Sequence, residues 1–291
     1  SMVKSAYSSG TPAIGVGAGN GPAFIDKSAD IKKAVKQILD SKTFDNGTIC
    51  ASEQSIIVER CMEAKVVEEL KSQGAFVLTQ EQSRQLGKFI LRANGTMNPM
   101  IVGKTCAQIA EYAGLCGVPS SARVLVGRET KVGADAPYSR EKLAPILGLF
   151  VEENTDRVLE RSIEILHMEG AGHTFSMHAE DEGLVRKFAL QIPASRFLVN
   201  TPGALGGIGA TTGLFPALTL GCGAVGGSSS SNNIGPLDLI NIKRVAFGTK
   251  ELEEIRRESE TVQNGTSASG SGQISQELIN AIVDKIVKEF I

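Results

Sequence analysis

Cys50 is the side chain whose surroundings most suggest chemistry. It lies in the stretch Phe44-Asp45-Asn46-Gly47-Thr48-Ile49-Cys50-Ala51-Ser52-Glu53-Gln54, between an amphipathic run (residues 30–42) and a β-branched run (residues 55–58). That pattern predicts a helix, a short Asn-Gly loop carrying the thiol, and a strand. Loops of this kind hold a functional group on a fixed frame while leaving it accessible. A thiol there is a candidate nucleophile, provided the site favours the thiolate of a group whose ordinary pKa is about 8.5. The chain has five cysteines and three histidines, with no C-x-x-C pair and no metal-ligand spacing, so no metal centre is expected. An imidazole with a pKa of about 6.5 suits proton transfer near neutrality. Of the three, His167 sits beside Met168 on a helical run and reads as structural, and His178 precedes Ala179-Glu180-Asp181 and reads as solvated. His173 stands at the glycine-flexed turn Gly170-Ala171-Gly172-His173-Thr174, with a plain backbone contact as its alternative, and which of the three imidazoles serves the thiol stays open on the residues alone.

Two nucleotide-binding patterns fail on register. Residues 13–16 read as a short strand leading to a turn through Gly17, Gly19 and Gly21. A dinucleotide fingerprint starting at Gly15 needs a third glycine where Asn20 stands, and one starting at Gly17 needs it at Pro22. Val102-Gly103-Lys104-Thr105 imitates the end of a P-loop, but the first glycine of that motif is replaced by Asn98. A helix start capped by Thr105 explains the same residues.

The elements that must position Cys50 follow from hydrophobic spacing. Residues 30–42 place Ile31, Ala34, Val35, Ile38 and Leu39 on one helical face with lysines on the other, and Asp30 is the expected N-cap. Strands are expected at residues 55–58, 75–78, 123–126, 146–151, 170–177, 196–199 and 240–247, with helices at 62–73, 80–93, 106–113 and 155–168. This alternation predicts an α/β fold, a largely parallel sheet covered by helices. Cys106 and Cys116 read as small apolar residues. At 42% hydrophobic residues the chain can bury a sizeable core, and a net charge of −2 gives no reason to expect nucleic acid or an anionic membrane. Nothing approaches the roughly 20-residue apolar run of a membrane span, and no secretory signal opens the chain. The odd, unclustered cysteines fit reduced thiols in a cytosolic setting.

The Cys50 stretch resembles the nucleophile segment of the aldehyde dehydrogenase superfamily, in its CoA-acylating branch. Gly17-Ala18-Gly19-Asn20, Glu141-Lys142-Leu143-Ala144-Pro145, Gly172-His173-Thr174 and Asn200-Thr201-Pro202 stand in family order, so the resemblance runs over residues 13–247. It implies the fold of an aldehyde dehydrogenase catalytic domain over residues 13–248 and a reaction from aldehyde to acyl-CoA through a thioester on Cys50. It assigns His173 to proton handling and Glu141 to the nicotinamide-side ribose of the cofactor, where one carboxylate can accept two hydroxyls. It places Asn200, Thr201 and Pro202 in the substrate-side loops, beside which Cys222 is a further thiol. It implies NAD as cofactor, with NADP open, CoA as co-substrate, and a homo-oligomer whose residues 240–247 pair with a neighbouring subunit. Hydrolytic members place a water-activating glutamate where this chain has Gly17-Ala18-Gly19-Asn20, and a site lacking that base fits transfer to CoA.

The sequence departs from the family in having only 49 residues ahead of Cys50, where the resemblance implies a whole dinucleotide-binding domain. Ser1-Met2 reads as a cloning remnant and residues 1–12 as lead-in, so an excised catalytic portion is expected, inactive alone as a dehydrogenase, with a natural short form as the alternative. Beyond the catalytic domain, residues 249–273 are charged and then glycine-serine rich, a flexible-linker composition. Residues 274–291 place Leu278, Ile279, Ile282, Val283, Ile286 and Val287 on one helical face, a tethered amphipathic helix in need of a partner surface. It resembles the encapsulation peptides of microcompartment cargo. The resemblance therefore implies shell proteins as partners, a site in the microcompartment lumen within the cytoplasm, and acetaldehyde or propionaldehyde as substrate. Two other readings stay open, a hydrolytic aldehyde dehydrogenase and a non-enzymatic scaffold on the same fold.

Overall fold

The expected alternation folds into one seven-stranded sheet in which every pairing is parallel. In the computed structural model, which describes residues 2–257, the elements in chain order are α1 Met2–Tyr7, β1 Pro22–Ile25, α2 Ile31–Thr43, β2 Ser55–Glu59, α3 Glu63–Ser72, β3 Ala75–Val77, α4 Gln80–Ile90, α5 Cys106–Tyr112, β4 Val124–Arg128, β5 Ile146–Glu152, α6 Thr155–Met168, β6 Gly172–His178, α7 Glu182–Ala189, β7 Ala194–Val199 and α8 Gly203–Gly207. The sheet order is β3-β4-β5-β2-β1-β6-β7. The chain divides into two compact units, one ending at Ile240 and one beginning at Asn241. Among the described residues no helix is long and apolar enough to cross a membrane.

Helices cover both faces, so the central strands read as continuous apolar runs, as parallel strands buried on two sides should. On one face Ala34, Val35, Ile38 and Leu39 of α2 and Val66 and Leu70 of α3 pack onto Ile56, Val58 and Val126. On the other, Val158, Ile165 and Leu166 of α6 pack with Phe24, Ile57, Phe150 and Phe175. Phe188 of α7 stacks on Phe24 at 5.2 Å between ring centres. Each such side chain contributes roughly 1.5–3 kcal/mol through burial. The caps form as the residue types predict. The Asp30 side chain accepts from the Lys33 N–H at 3.0 Å, and Thr105 and Gln108 close a capping box at the start of α5.

Four expectations are corrected. Residues 13–16 form no strand, and the first strand follows the glycine turn instead of preceding it. The backbone of Gly15 is committed to side chains, its N–H to the Tyr7 hydroxyl at 2.8 Å and its carbonyl to Ser228 Oγ at 2.7 Å, which leaves nothing for a ladder. Residues 240–247 form no strand either, and Ile240, Ile242, Val245 and Phe247 are exposed; alternation alone makes no strand without a partner edge. His178 is buried, not solvated, because it closes β6 beside Ile25 of β1, and burial pushes its pKa down to about 4. Lys42 is not on the polar face of α2. Lys32, Lys33 and Lys36 are exposed, but Lys42 is wholly buried where the Cys50 loop folds over the end of the helix. The amphipathic run at 274–291 and the whole glycine-serine stretch before it lie outside the described residues.

Candidate active site

The Cys50 loop is built by a run of left-handed backbone. Asp45 (φ 48°), Asn46 (φ 49°) and Gly47 (φ 74°) turn the chain sharply after α2, a conformation that asparagine, aspartate and glycine tolerate best. The turn docks on the Glu141 segment. Asn46 Nδ2 donates to the Gly103 carbonyl at 3.1 Å, and a Cβ at Gly47 would stand 2.8 Å from the Ala144 carbonyl oxygen. The Ser52 N–H then donates to the Ile49 carbonyl at 2.9 Å, closing a tight turn with Cys50 inside it. The glycine turn ahead of β1 forms the facing surface. A Cβ at Gly19 would stand 2.0 Å from the Cys50 carbonyl oxygen and 2.9 Å from Cys50 Cβ, so only glycine lets the two segments pass. Its glycines serve that close approach, and no phosphate loop is needed to explain them.

Glu141 completes the contact. Its Oε1 accepts the Gly19 N–H at 2.9 Å, and Oε2 makes no hydrogen bond among the described residues. Burial, opposed chiefly by that bond, raises the Glu141 pKa to about 7. Half-buried Cys50 is pushed up to about 11, first by burial and then by Glu141 and Cys222, against a smaller opposing pull from Arg196. The expectation that the surroundings favour the thiolate is therefore not met by this chain alone, because desolvation outweighs the pull of Arg196. Behind the loop, Lys42 Nζ donates to Gln54 Oε1 at 3.1 Å and Ser52 Oγ at 3.4 Å. Gln54 Oε1 also accepts the Lys142 N–H at 3.0 Å, which joins α2, the Cys50 loop and the Glu141 segment.

His173 is the second residue of β6, within the strand and not on the turn before it. It is fully buried, its Nδ1 lies 2.9 Å from Thr174 Oγ1, and its Nε2 has no hydrogen-bond partner among the described residues. Burial and then Arg196 drive its pKa down to about 3, so the ring is neutral at working pH. No hydrogen bond joins it to Cys50. Cys50, Glu141 and His173 all lie at the amino ends of their neighbouring strands, the reverse of the usual placement of ligands at carboxyl ends in open α/β sheets. A pocket of about 930 Å³ at the carboxyl ends of β3 and β4, lined by Thr79, Arg84, Arg128 and Tyr138, is thus on the far edge from Cys50.

Residues 2–139 match the aldehyde dehydrogenase family. The chain is 44% identical over 250 residues to the bifunctional aldehyde-alcohol dehydrogenase of Escherichia coli (strain K12), covering 84% of this chain and 28% of that protein. The crystal structure of a probable aldehyde dehydrogenase from Listeria monocytogenes superposes with a TM-score of 0.84 at 66% identity, over 88% of this chain and 56% of that one. This chain belongs to the aldehyde dehydrogenase superfamily. An acetylating aldehyde dehydrogenase from Geobacillus thermoglucosidasius superposes with a TM-score of 0.83 at 48% identity, over 86% of this chain and 55% of that one. A propionaldehyde dehydrogenase from Rhodopseudomonas palustris with bound propionyl-CoA gives 0.69 at 30% identity, over 78% and 50%. One from the fucose utilisation bacterial microcompartment of Clostridium phytofermentans gives 0.71 at 27%, over 80% and 52%. The chain spans about half the length of these solved relatives and 28% of the Escherichia coli protein.

Within this aldehyde dehydrogenase chain, Asn200, Thr201 and Pro202 join β7 to α8, the helix that lies on the Cys50 loop. Asn200 (φ 52°) exchanges hydrogen bonds with the backbone of Ala179, at 3.0 Å and 2.8 Å. Thr201 Oγ1 pairs with Thr211 Oγ1 at 2.6 Å, and Pro202 caps α8. The first turn of α8 lies on the loop itself. Glu53 Oε1 accepts the Gly203 N–H at 2.8 Å, and a Cβ at Gly207 would stand 2.7 Å from Ala51 Cβ. Sequence reasoning missed Lys42, Glu53 and Arg196, each a charged residue buried in a segment whose spacing announces only a helix, loop or strand. Among the described residues no group of three or more metal-binding side chains occurs.

Proposed function

We propose that the protein of which this chain spans a part converts a short-chain aldehyde to its acyl-CoA through a thioester on Cys50. The observation that carries this reading is the Gly17–Asn20 turn packed against Cys50: the turn itself carries no acidic side chain, and Glu141, which reaches it, is engaged by the Gly19 N–H. The Cys50 sulfur adds as thiolate to the aldehyde carbonyl to give a thiohemiacetal, with the backbone N–H of Cys50 as donor to the oxygen of the adduct. A nicotinamide dinucleotide, when bound, would supply the hydride acceptor, and Glu141, whose Oε1 takes the Gly19 N–H, would offer Oε2 to a ribose hydroxyl. His173 enters as a neutral imidazole whose Nε2 has no hydrogen-bond partner among the described residues, in the proton-handling role. The thiol of CoA then displaces the acyl group from Cys50.

Relatives named as acetylating, or solved with propionyl-CoA bound, support transfer to CoA. A hydrolytic reading has one observation in its favour, the Glu141 carboxyl of near-neutral pKa beside Cys50. Product analysis of the full-length parent decides between them. Acyl-CoA is expected with CoA present and little free acid without it; free acid at an equal rate in both would reverse the assignment. The homo-oligomer and the short volatile substrate belong to the same proposal. So does shell docking by residues 274–291, for which a relative from a microcompartment is the support. A reporter fused to residues 265–291 should co-purify with assembled shells, and one left in the soluble fraction removes that docking role.

A further inference from the structure

β7 carries a buried arginine that neither strand alternation nor the family motifs single out. Arg196 is 2% exposed, and a guanidinium is not buried without acceptors for its N–H groups. Its acceptors come from three segments. Nε donates to Thr174 Oγ1 at 3.4 Å, the hydroxyl that also pairs with His173 Nδ1 at 2.9 Å. One terminal nitrogen donates to the Ser231 carbonyl at 3.2 Å and to Asn233 Oδ1 at 3.4 Å. The other donates to the Gly221 carbonyl at 2.5 Å. Gly221 precedes Cys222, and the Cys222 thiol lies on the glycine turn, 3.8 Å from where a Cβ of Gly17 would be. Just along that turn Gly19 passes Cys50. Arg196 therefore fixes the wall that faces the nucleophile across one thin strip of glycine backbone.

The charges around Cys50 give that wall an electrostatic role. Glu141 and Cys222 act against its thiolate and Arg196 acts for it. Arg196 in turn is faced by Cys222, Cys50 and His173, while Lys42, Lys142 and Glu169 face Glu141. We propose that Arg196 is a positioning residue for the Cys50 nucleophile: it holds the Thr174–His173 and Gly221–Cys222 segments opposite the thiol and supplies the positive charge against which the thiolate forms. The proposal rests on Cys50 being the nucleophile, as the reading above has it. An arginine suits the task better than a lysine for geometry, since its planar fork meets several acceptors at once. For charge alone the two are equivalent.

That separation provides the test. Iodoacetamide alkylation of Cys50 is followed by peptide mass spectrometry from about pH 7 to 10, where the thiolate fraction sets the rate. Exposed Cys61 and Cys116 are first replaced by serine. Arg196→Met is expected to slow alkylation at about pH 8.5 roughly tenfold and to move the rise in rate to higher pH. Arg196→Lys is expected to keep the parent profile within about threefold. A folded Arg196→Met chain with the parent rate and profile overturns the proposal. If Arg196→Met does not fold, the lysine variant decides, an unshifted profile supporting the charge role and an upward shift removing it. Alkylation needs neither dinucleotide nor CoA, so these outcomes do not depend on the acyl acceptor. An unsubstituted chain in which Cys50 is never alkylated sinks this proposal and the nucleophile reading together.

Discussion

Cys50→Ala is expected to abolish acyl-CoA formation in the full-length parent, by at least about a thousandfold, while Cys61→Ala and Cys106→Ala retain most of it. The fold separates these thiols clearly. Cys50 lies ahead of β2 against the glycine turn and Glu141, whereas Cys61 is exposed beyond the other end of the same strand. Cys106 opens α5 facing the core, its thiol directed at the Pro145 carbonyl at 3.6 Å and its pKa pushed up to about 12 by burial, so it fills space and does no chemistry. Cys222 is the informative control. It shares the Cys50 surroundings, but it is fully buried behind Gly17 and should slow the reaction when replaced without ending it. The same comparison runs on this chain without cofactor, as acylation of Cys50 by an activated ester read from the mass of its peptide. Turnover that survives Cys50→Ala but is lost with Cys61→Ala or Cys106→Ala would overturn the assignment.

The parts of the fold that were legible in the sequence are those governed by local spacing. Thr155–Met168 is helical over the expected residues, because Val158, Ile165 and Leu166 repeat at helical spacing and Asn154 caps the start. The strand after Cys50 and its left-handed Asn-Gly turn are likewise local matters of β-branching and turn chemistry. Failures occurred where a distant segment decides the outcome. Residues 13–16 have the apolar character of a strand, yet Ser228, remote in sequence, and the hydroxyl of nearby Tyr7 take the backbone groups of Gly15. His178 stands beside charged residues in sequence, but in space it is enclosed at the β1–β6 pairing. The candidate site divides in the same way. Cys50 and Glu141 were found by motif and do converge, through Gly19. The network beneath them, Lys42 with Gln54 and Arg196 with Thr174, depends on contacts between segments far apart in the chain and has no periodicity to betray it.

Lys42→Ala is expected to cost about 3–5 kcal/mol of stability and Lys42→Met about 1 kcal/mol near pH 7. The alanine variant leaves a void beneath the Cys50 loop and strips Gln54 and Ser52 of their buried donor, while methionine fills the space of the stem. The two should also respond differently to pH than the parent. Burial holds the Lys42 pKa down to about 7 in the folded chain, against an ordinary value of 10.5. Between those values the unfolded chain binds the proton and the folded chain does not, so this residue makes stability rise with pH across that window. Glu53 and Glu141, both raised to about 7 from 4.5 by burial, act in the opposite sense at lower pH: the folded chain keeps their protons, and stability falls as pH rises towards 7. Lys42→Met removes the rise above pH 7 that belongs to Lys42, though not the part owed to Lys142, whose pKa is also depressed by burial. The deficit of Lys42→Met should therefore grow by about 2–3 kcal/mol between pH 7 and roughly pH 9.5. Urea midpoints for the parent and both variants at those two pH values measure it. A deficit that stays constant with pH, or equal losses for alanine and methionine, would show that Lys42 is not held neutral beneath the nucleophile loop.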